Sequence, residues 1–100
     1  MTNARFWNYG FCITGHSTKN AQDDEGRALC AAVSSAAYMA ANTIIEIIKD
    51  TAQVEVKDGE MILNLQSPSD KTIAVLEGLR LHLSELSKQY GKRLSVTTEV

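Results

Sequence analysis

Gln53-Val54-Glu55-Val56-Lys57-Asp58-Gly59-Glu60-Met61-Ile62-Leu63-Asn64-Leu65 decides the fold class. Val54 and Val56 alternate with polar residues, and Met61, Leu63 and Leu65 recur at the same spacing of two. Each half therefore presents one apolar face, as a half-buried strand does. Lys57-Asp58-Gly59-Glu60 supplies the turn between them, with Gly59 free to take a positive φ. A hairpin with one apolar face needs a covering layer, and the flanking segments supply it.

Upstream, the sequence predicts a helix from about Gly26 to Lys49. Its apolar stripe is Leu29, Val33, Ala36, Ala40, Ile44 and Ile47. Asp23, Asp24 and Glu25 lie before or in its first turn, where negative charge suits the helix dipole. Downstream, Gln66-Ser67-Pro68-Ser69 reads as a loop, and Ser69 or Asp70 caps a second helix. Ile73, Leu76, Leu79, Leu83, Leu86 and Tyr90 form its stripe, and Gly91 stops it. Leu94, Val96 and Thr98 alternate as a last strand. The first sixteen residues read as extended, with Phe6, Trp7, Phe11, Ile13 and Thr14 favouring strand and Asn8-Tyr9-Gly10 turning the chain. The order is β-β-α-β-β-α-β. It predicts a two-layer α+β domain with a mainly antiparallel or mixed sheet and both helices on one face.

Composition limits the function. The 100 residues, 44% of them apolar, suffice for one core and one domain spanning residues 1–100. A formal charge of −2 leaves no basic footprint, so nucleic acid is not an expected direct partner. Unbroken apolar runs are a few residues long, against the roughly 20 that span a bilayer, so no membrane association is expected. Met1-Thr2-Asn3-Ala4-Arg5 is followed by no apolar run of the kind a secretory signal needs. Two cysteines do not make a disulfide framework, and free thiols in the cytoplasm are the expectation.

One pair of residues could carry chemistry. Cys30 falls in the first or second turn of the first helix, where the dipole favours a thiolate and unpaired backbone N–H groups could hold an oxyanion. His16 ends a strand just past Gly15, where a polar stretch running to Gly26 begins. A stretch of that length in a compact domain is commonly functional. Cys and His within hydrogen-bonding reach are the minimum equipment for acyl transfer. On spacing alone, a cysteine in an Ala-rich helix is more often a small buried hydrophobe, and a histidine beside glycine a loop residue. A metal site at Cys12 and His16 is disfavoured, because four residues of strand separate them by roughly 13 Å. No metal or cofactor is expected.

Gly15-His16-Ser17 followed by Cys30-Ala31-Ala32-Val33-Ser34 resembles the ribosomal-processing cysteine protease family, Prp. Members carry Gly-His-Ala at the end of a strand, then a loop with a glycine, then Cys-Ala-Ala-Val-Ser opening a helix. The helix string matches in full, and the element order fits along almost the whole chain. Where the family usually has Asp-Ile-Val before the cysteine, this chain has Arg27-Ala28-Leu29, and Ser17 replaces the alanine. Asp23, Asp24 and Glu25 are the carboxylates placed to stand in for the missing one.

The resemblance implies a cytoplasmic, usually dimeric peptidase. Its precursor substrate would be a large-subunit ribosomal protein, from which it removes a short N-terminal extension. Cys30 matches the nucleophile and His16 the base. Gly15, Ser17, Gly26 and Ser34 are the implied substrate-binding residues; Ser34, one turn beyond Cys30, shares its helix face. Two alternatives follow from the departures: a diverged or phage-borne relative acting on another precursor, and a non-catalytic ribosome-associated or scaffold module. Cys12, Tyr38, Met39 and His82 read as packing or border residues.

Overall fold

The computed structural model of the protein describes residues 1–15 and 22–99. Strands β1 (Thr2–Trp7) and β2 (Gly10–Gly15) form the first hairpin, and helix α1 (Asp24–Asn42) follows. The second hairpin is β3 (Ala52–Lys57) and β4 (Glu60–Leu65), succeeded by α2 (Asp70–Tyr90) and β5 (Leu94–Thr98). The register of the second hairpin pairs Val56 with Met61 and Val54 with Leu63, which aligns the apolar faces read from the sequence. Gly59 takes φ 75° in its turn.

The sheet runs β3-β4-β2-β1-β5. β2 pairs antiparallel with both β1 and β4, while β5 lies parallel to β1 at the far edge. The sheet is therefore mixed. Ala4, Phe6, Phe11, Ile13, Leu63 and Leu94 bury one face against Leu29, Val33, Ala37 and Ile44 of the first helical segment and Leu76, Leu79 and Leu83 of α2. Asn3, Arg5, Gln53 and Glu55, at alternate positions, are exposed. Both helices cover one face of an α+β sheet, as the patterning predicts.

The helical stripes differ from the prediction in their details. α1 begins at Asp24 rather than Gly26 and continues as a π-helix over Thr43–Ile48. Lys49, at φ 67°, ends it with its N–H donating to the Ile44 carbonyl. The wider π turn changes the angular spacing of side chains. Ile44 is fully buried, whereas Ile47, assigned to the same stripe by a 3.6-residue period, is 76% exposed. The whole helical run Asp24–Ile48 is long and apolar enough, by length and composition, to cross a bilayer, which a search for unbroken apolar runs does not reveal. Its buried face packs on the sheet, as a core helix does.

In α2 the stripe starts at Thr72, which is fully buried, and Ile73 is exposed. A polar knot explains the exchange. Ser69 caps α2 by accepting from the Thr72 N–H, and Asp50, just past the π-helix, accepts from the Ser69 N–H and hydroxyl at 2.8 Å each. The Thr72 hydroxyl and these two Ser69 donors hold the Asp50 carboxyl below its ordinary value of 3.8. A lowered folded value stabilises the fold above the ordinary carboxylate range, and that stabilisation disappears as pH falls through the folded value. Asp50→Asn is therefore expected to melt below wild type near neutral pH, with the gap closing toward about pH 3. Melting curves between about pH 2.5 and 7 check this; a gap that stays constant across that range contradicts it.

Candidate active site

The site is built where β2, α1 and the β3–β4 turn meet. β2 ends at Gly15, whose φ of 97° suits glycine. A Cβ there would lie 2.2 Å from the Met1 carbonyl oxygen. The Gly15 N–H donates to the Gly59 carbonyl at 2.8 Å, which ties the end of β2 to the tip of the second hairpin. Asp23 precedes α1, and its side chain accepts from the Gly26 N–H at 3.1 Å and so caps the helix.

Cys30 lies in the second turn of α1 and is half-buried. It opens on a cleft of about 260 Å³. One wall is α1, where Cys30, Ser34 and Tyr38 repeat every four residues and share a face. Thr2, Ile13 and Gly15 form the floor, and Val56 to Met61 of the second hairpin form the opposite wall. Neither cysteine is in a disulfide, and they differ in access: Cys12 is 3% exposed within β2 and does not line this cleft.

Three expectations need correction. Gly26, taken as substrate-binding, is buried at the helix start with its N–H given to Asp23, and it is not part of the cleft. The free N–H groups expected to hold an oxyanion are largely engaged. Asp24 donates to the Gln22 carbonyl, Arg27 to the Asp23 carbonyl, and Gly26 to the Asp23 carboxylate. The acidic cluster is also committed elsewhere. Asp23 pairs with Arg93, Glu25 lies 3.9 Å from the same guanidinium, and Asp24 pairs with Arg27. None of the three lines the Cys30 cleft.

Gly15 and Ser34 do line the cleft. His16 and Ser17 lie outside the described residues, and Gly15 brings the chain to the cleft immediately before them. Sequence reasoning missed Asp58 and Glu60, carboxylates that line the same cleft as Cys30, because a hairpin turn accounts for them locally. It also assigned Tyr38 to packing, yet Tyr38 is 46% exposed and walls the cleft. Its place two helical turns beyond Cys30 was the available signal. Among the described residues, no cluster of His, Cys, Asp or Glu could hold a metal ion.

A family model described as cysteine protease Prp matches residues 1–95. The chain belongs to the Prp cysteine protease family. It is accordingly a cysteine protease, and the family assignment from the Gly-His and Cys-Ala-Ala-Val-Ser strings holds. Solved structures agree on the fold. The essential ribosomal processing protease Prp from S. aureus, in complex with a covalently linked product peptide, superposes with a TM-score of 0.85 at 14% identity, covering 99% of this chain and 100% of that one. The same S. aureus protease with a substrate peptide gives 0.86 at 12% identity, over 99% and 100% of the two chains. SMU.848 from Streptococcus mutans gives 0.79 at 16% identity, over 98% and 93%. No curated protein matches the sequence.

Proposed function

We propose that the protein is a ribosomal-processing endopeptidase in which Cys30 is the nucleophile and His16 the general base. The observation that carries the first assignment is the contrast between the two cysteines. A cysteine protease needs a sulfur that a peptide can reach; Cys12 is packed within the sheet, and Cys30 faces a cleft. His16 is assigned from the family motif and from the position of Gly15 on the same cleft.

In this mechanism the Cys30 proton passes to His16 as sulfur attacks the scissile carbonyl. The C–N bond then breaks, His16 returns the proton to the leaving amine, and a thioester remains on Cys30. Water, deprotonated by His16, attacks the thioester and releases the acid. Ser34 offers a hydroxyl to the substrate backbone from one turn along the same helix face. The structures of the S. aureus relative with a substrate peptide and with a covalently linked product peptide support a peptide as the occupant of the cleft.

The substrate assigned here is a large-subunit ribosomal precursor carrying a short N-terminal extension, processed in the cytoplasm by a homodimer. The test is incubation of purified protein with that precursor and, separately, with the precursor lacking its extension. The expected outcome is release of the extension at a single bond and no change in the shortened protein. An untouched precursor, with an unrelated extended peptide cleaved, would show a peptidase of other specificity. Sedimentation at micromolar concentration tests the dimer, with a monomer as the contrary result.

A further inference from the structure

We propose that Arg93 is a positioning residue for the Cys30 site, acting through Asp23; this rests on the catalytic reading above. Arg93 stands 70 residues from Asp23 in sequence, yet its Nη1 donates to Asp23 Oδ2 at 2.6 Å. The two side chains are only 21% and 10% exposed, so water screens this pair far less than a surface ion pair. Glu25 adds a second carboxylate at 3.9 Å.

The anchor at each end is firm. Arg93 closes the short 3-10 turn Gly91–Arg93, and the next residue, Leu94, is buried. The Leu94 carbonyl accepts from the Ser87 hydroxyl at 2.6 Å, and Leu94 pairs with Thr2, which in turn pairs with Gly15. Arg93 is thus tied to the end of the sheet that carries Gly15. Asp23 is tied to α1 because its other oxygen caps the helix through Gly26. One carboxylate therefore joins the helix that carries Cys30 to the sheet end that carries Gly15. Gly15 is pinned to Gly59, and Asp23 is gripped by Arg93. The pair fixes where the helix start sits relative to the strand end, and so where the Cys30 sulfur sits relative to Gly15 across the cleft. Small misplacements of reacting groups cost rate steeply.

Two conservative variants separate positioning from folding. Asp23→Asn keeps the capping oxygen and removes the charge; Arg93→Gln removes the cation and keeps a polar side chain. Each is expected to fold, to lower kcat for peptide cleavage by about tenfold or more, and to leave KM within about twofold. The double variant is expected to be no slower than either single one, because both remove the same contact. Arg93→Lys is expected to recover part of the lost rate. Hydrogen exchange supplies a readout independent of cleavage: amides at the start of α1 should lose protection in Arg93→Gln while those of α2 keep theirs. Wild-type kcat in Arg93→Gln, or additive losses in the double variant, overturn the positioning role alone. Absence of cleavage by the unaltered protein overturns it together with the catalytic reading. Lost protection throughout the chain, with kcat and KM changing together, identifies a residue that serves the fold only and likewise overturns the proposal.

Discussion

Cys30→Ala is expected to remove peptide cleavage, by at least about 10³-fold, while the protein keeps its fold. The thiol sits half-buried at the wall of an open cleft, so deleting one sulfur leaves no sealed cavity in the core. What is lost is the one thiol that lines the cleft among the described residues, and with it the covalent route. His16→Ala is expected to be slower by about 10²- to 10⁴-fold, the range for loss of a general base. Cys12→Ala gives the opposite pattern. That sulfur is packed in β2 opposite Arg5 and Ile62, and its removal is expected to cost stability of about 1 kcal/mol with cleavage retained. Cleavage rates and melting temperatures of the three variants check this together. Retained cleavage in Cys30→Ala, or its loss in Cys12→Ala with the fold intact, contradicts the assignment.

Gly10→Ala is expected to be the most damaging single change to the fold. Gly10 opens β2 and faces Asn64 of β4 in the register. A Cβ placed there would lie 1.8 Å from the Leu63 carbonyl oxygen and 2.9 Å from its carbon. Both are backbone atoms, so no side chain can swing aside. Relief requires β2 and β4 to separate, and those strands form the middle of the sheet. The Leu63 side chain is fully buried in the same core. The loss is expected to be about 3 kcal/mol or more, or more than about 12 °C in Tm for a chain of this size. Urea unfolding measures it, and a loss under about 1 kcal/mol contradicts the close approach.

The fold was largely legible because its main signals are local. The alternation around Asp58-Gly59, the cap at Ser69 and the stop at Gly91 each depend on a few neighbouring residues. The misread elements depend on contacts distant in sequence or on a change of helical period. A 3.6-residue repeat places Ile47 in the core, and nothing in Thr43-Ile44-Ile45-Glu46-Ile47-Ile48 marks a π turn. Thr72 is buried because Asp50 and Ser69 satisfy its polar end, a contact that spans two elements. The parallel placing of β5 beside β1 follows from how α2 returns the chain across the sheet, which strand patterning alone does not fix.

The site divides along the same line. Cys30, Ser34 and Gly15 line one cleft, and what singled them out in the sequence was the family resemblance of Gly15-His16 and Cys30-Ala31-Ala32-Val33-Ser34, to which the helical repeat of four adds only that Ser34 shares the face of Cys30. Gly26 looked like a binding glycine, but its amide is taken by Asp23, a cap whose consequence appears only when each helix-terminal donor is followed to its acceptor. The Asp23–Arg93 pair joins the start of α1 to the turn before β5, and charge patterning could not have matched one particular arginine to one of three adjacent carboxylates.

The central claim is that Cys30 is the reactive sulfur, and competitive alkylation tests it most directly. Folded protein is treated with a limiting amount of iodoacetamide at about pH 6, well below the ordinary cysteine value of about 8.5, and the label is located by mass spectrometry. The account predicts label on Cys30 far in excess of Cys12, with protection of Cys30 by bound peptide. Equal labelling of the two thiols at the slow rate of an unactivated cysteine would contradict it.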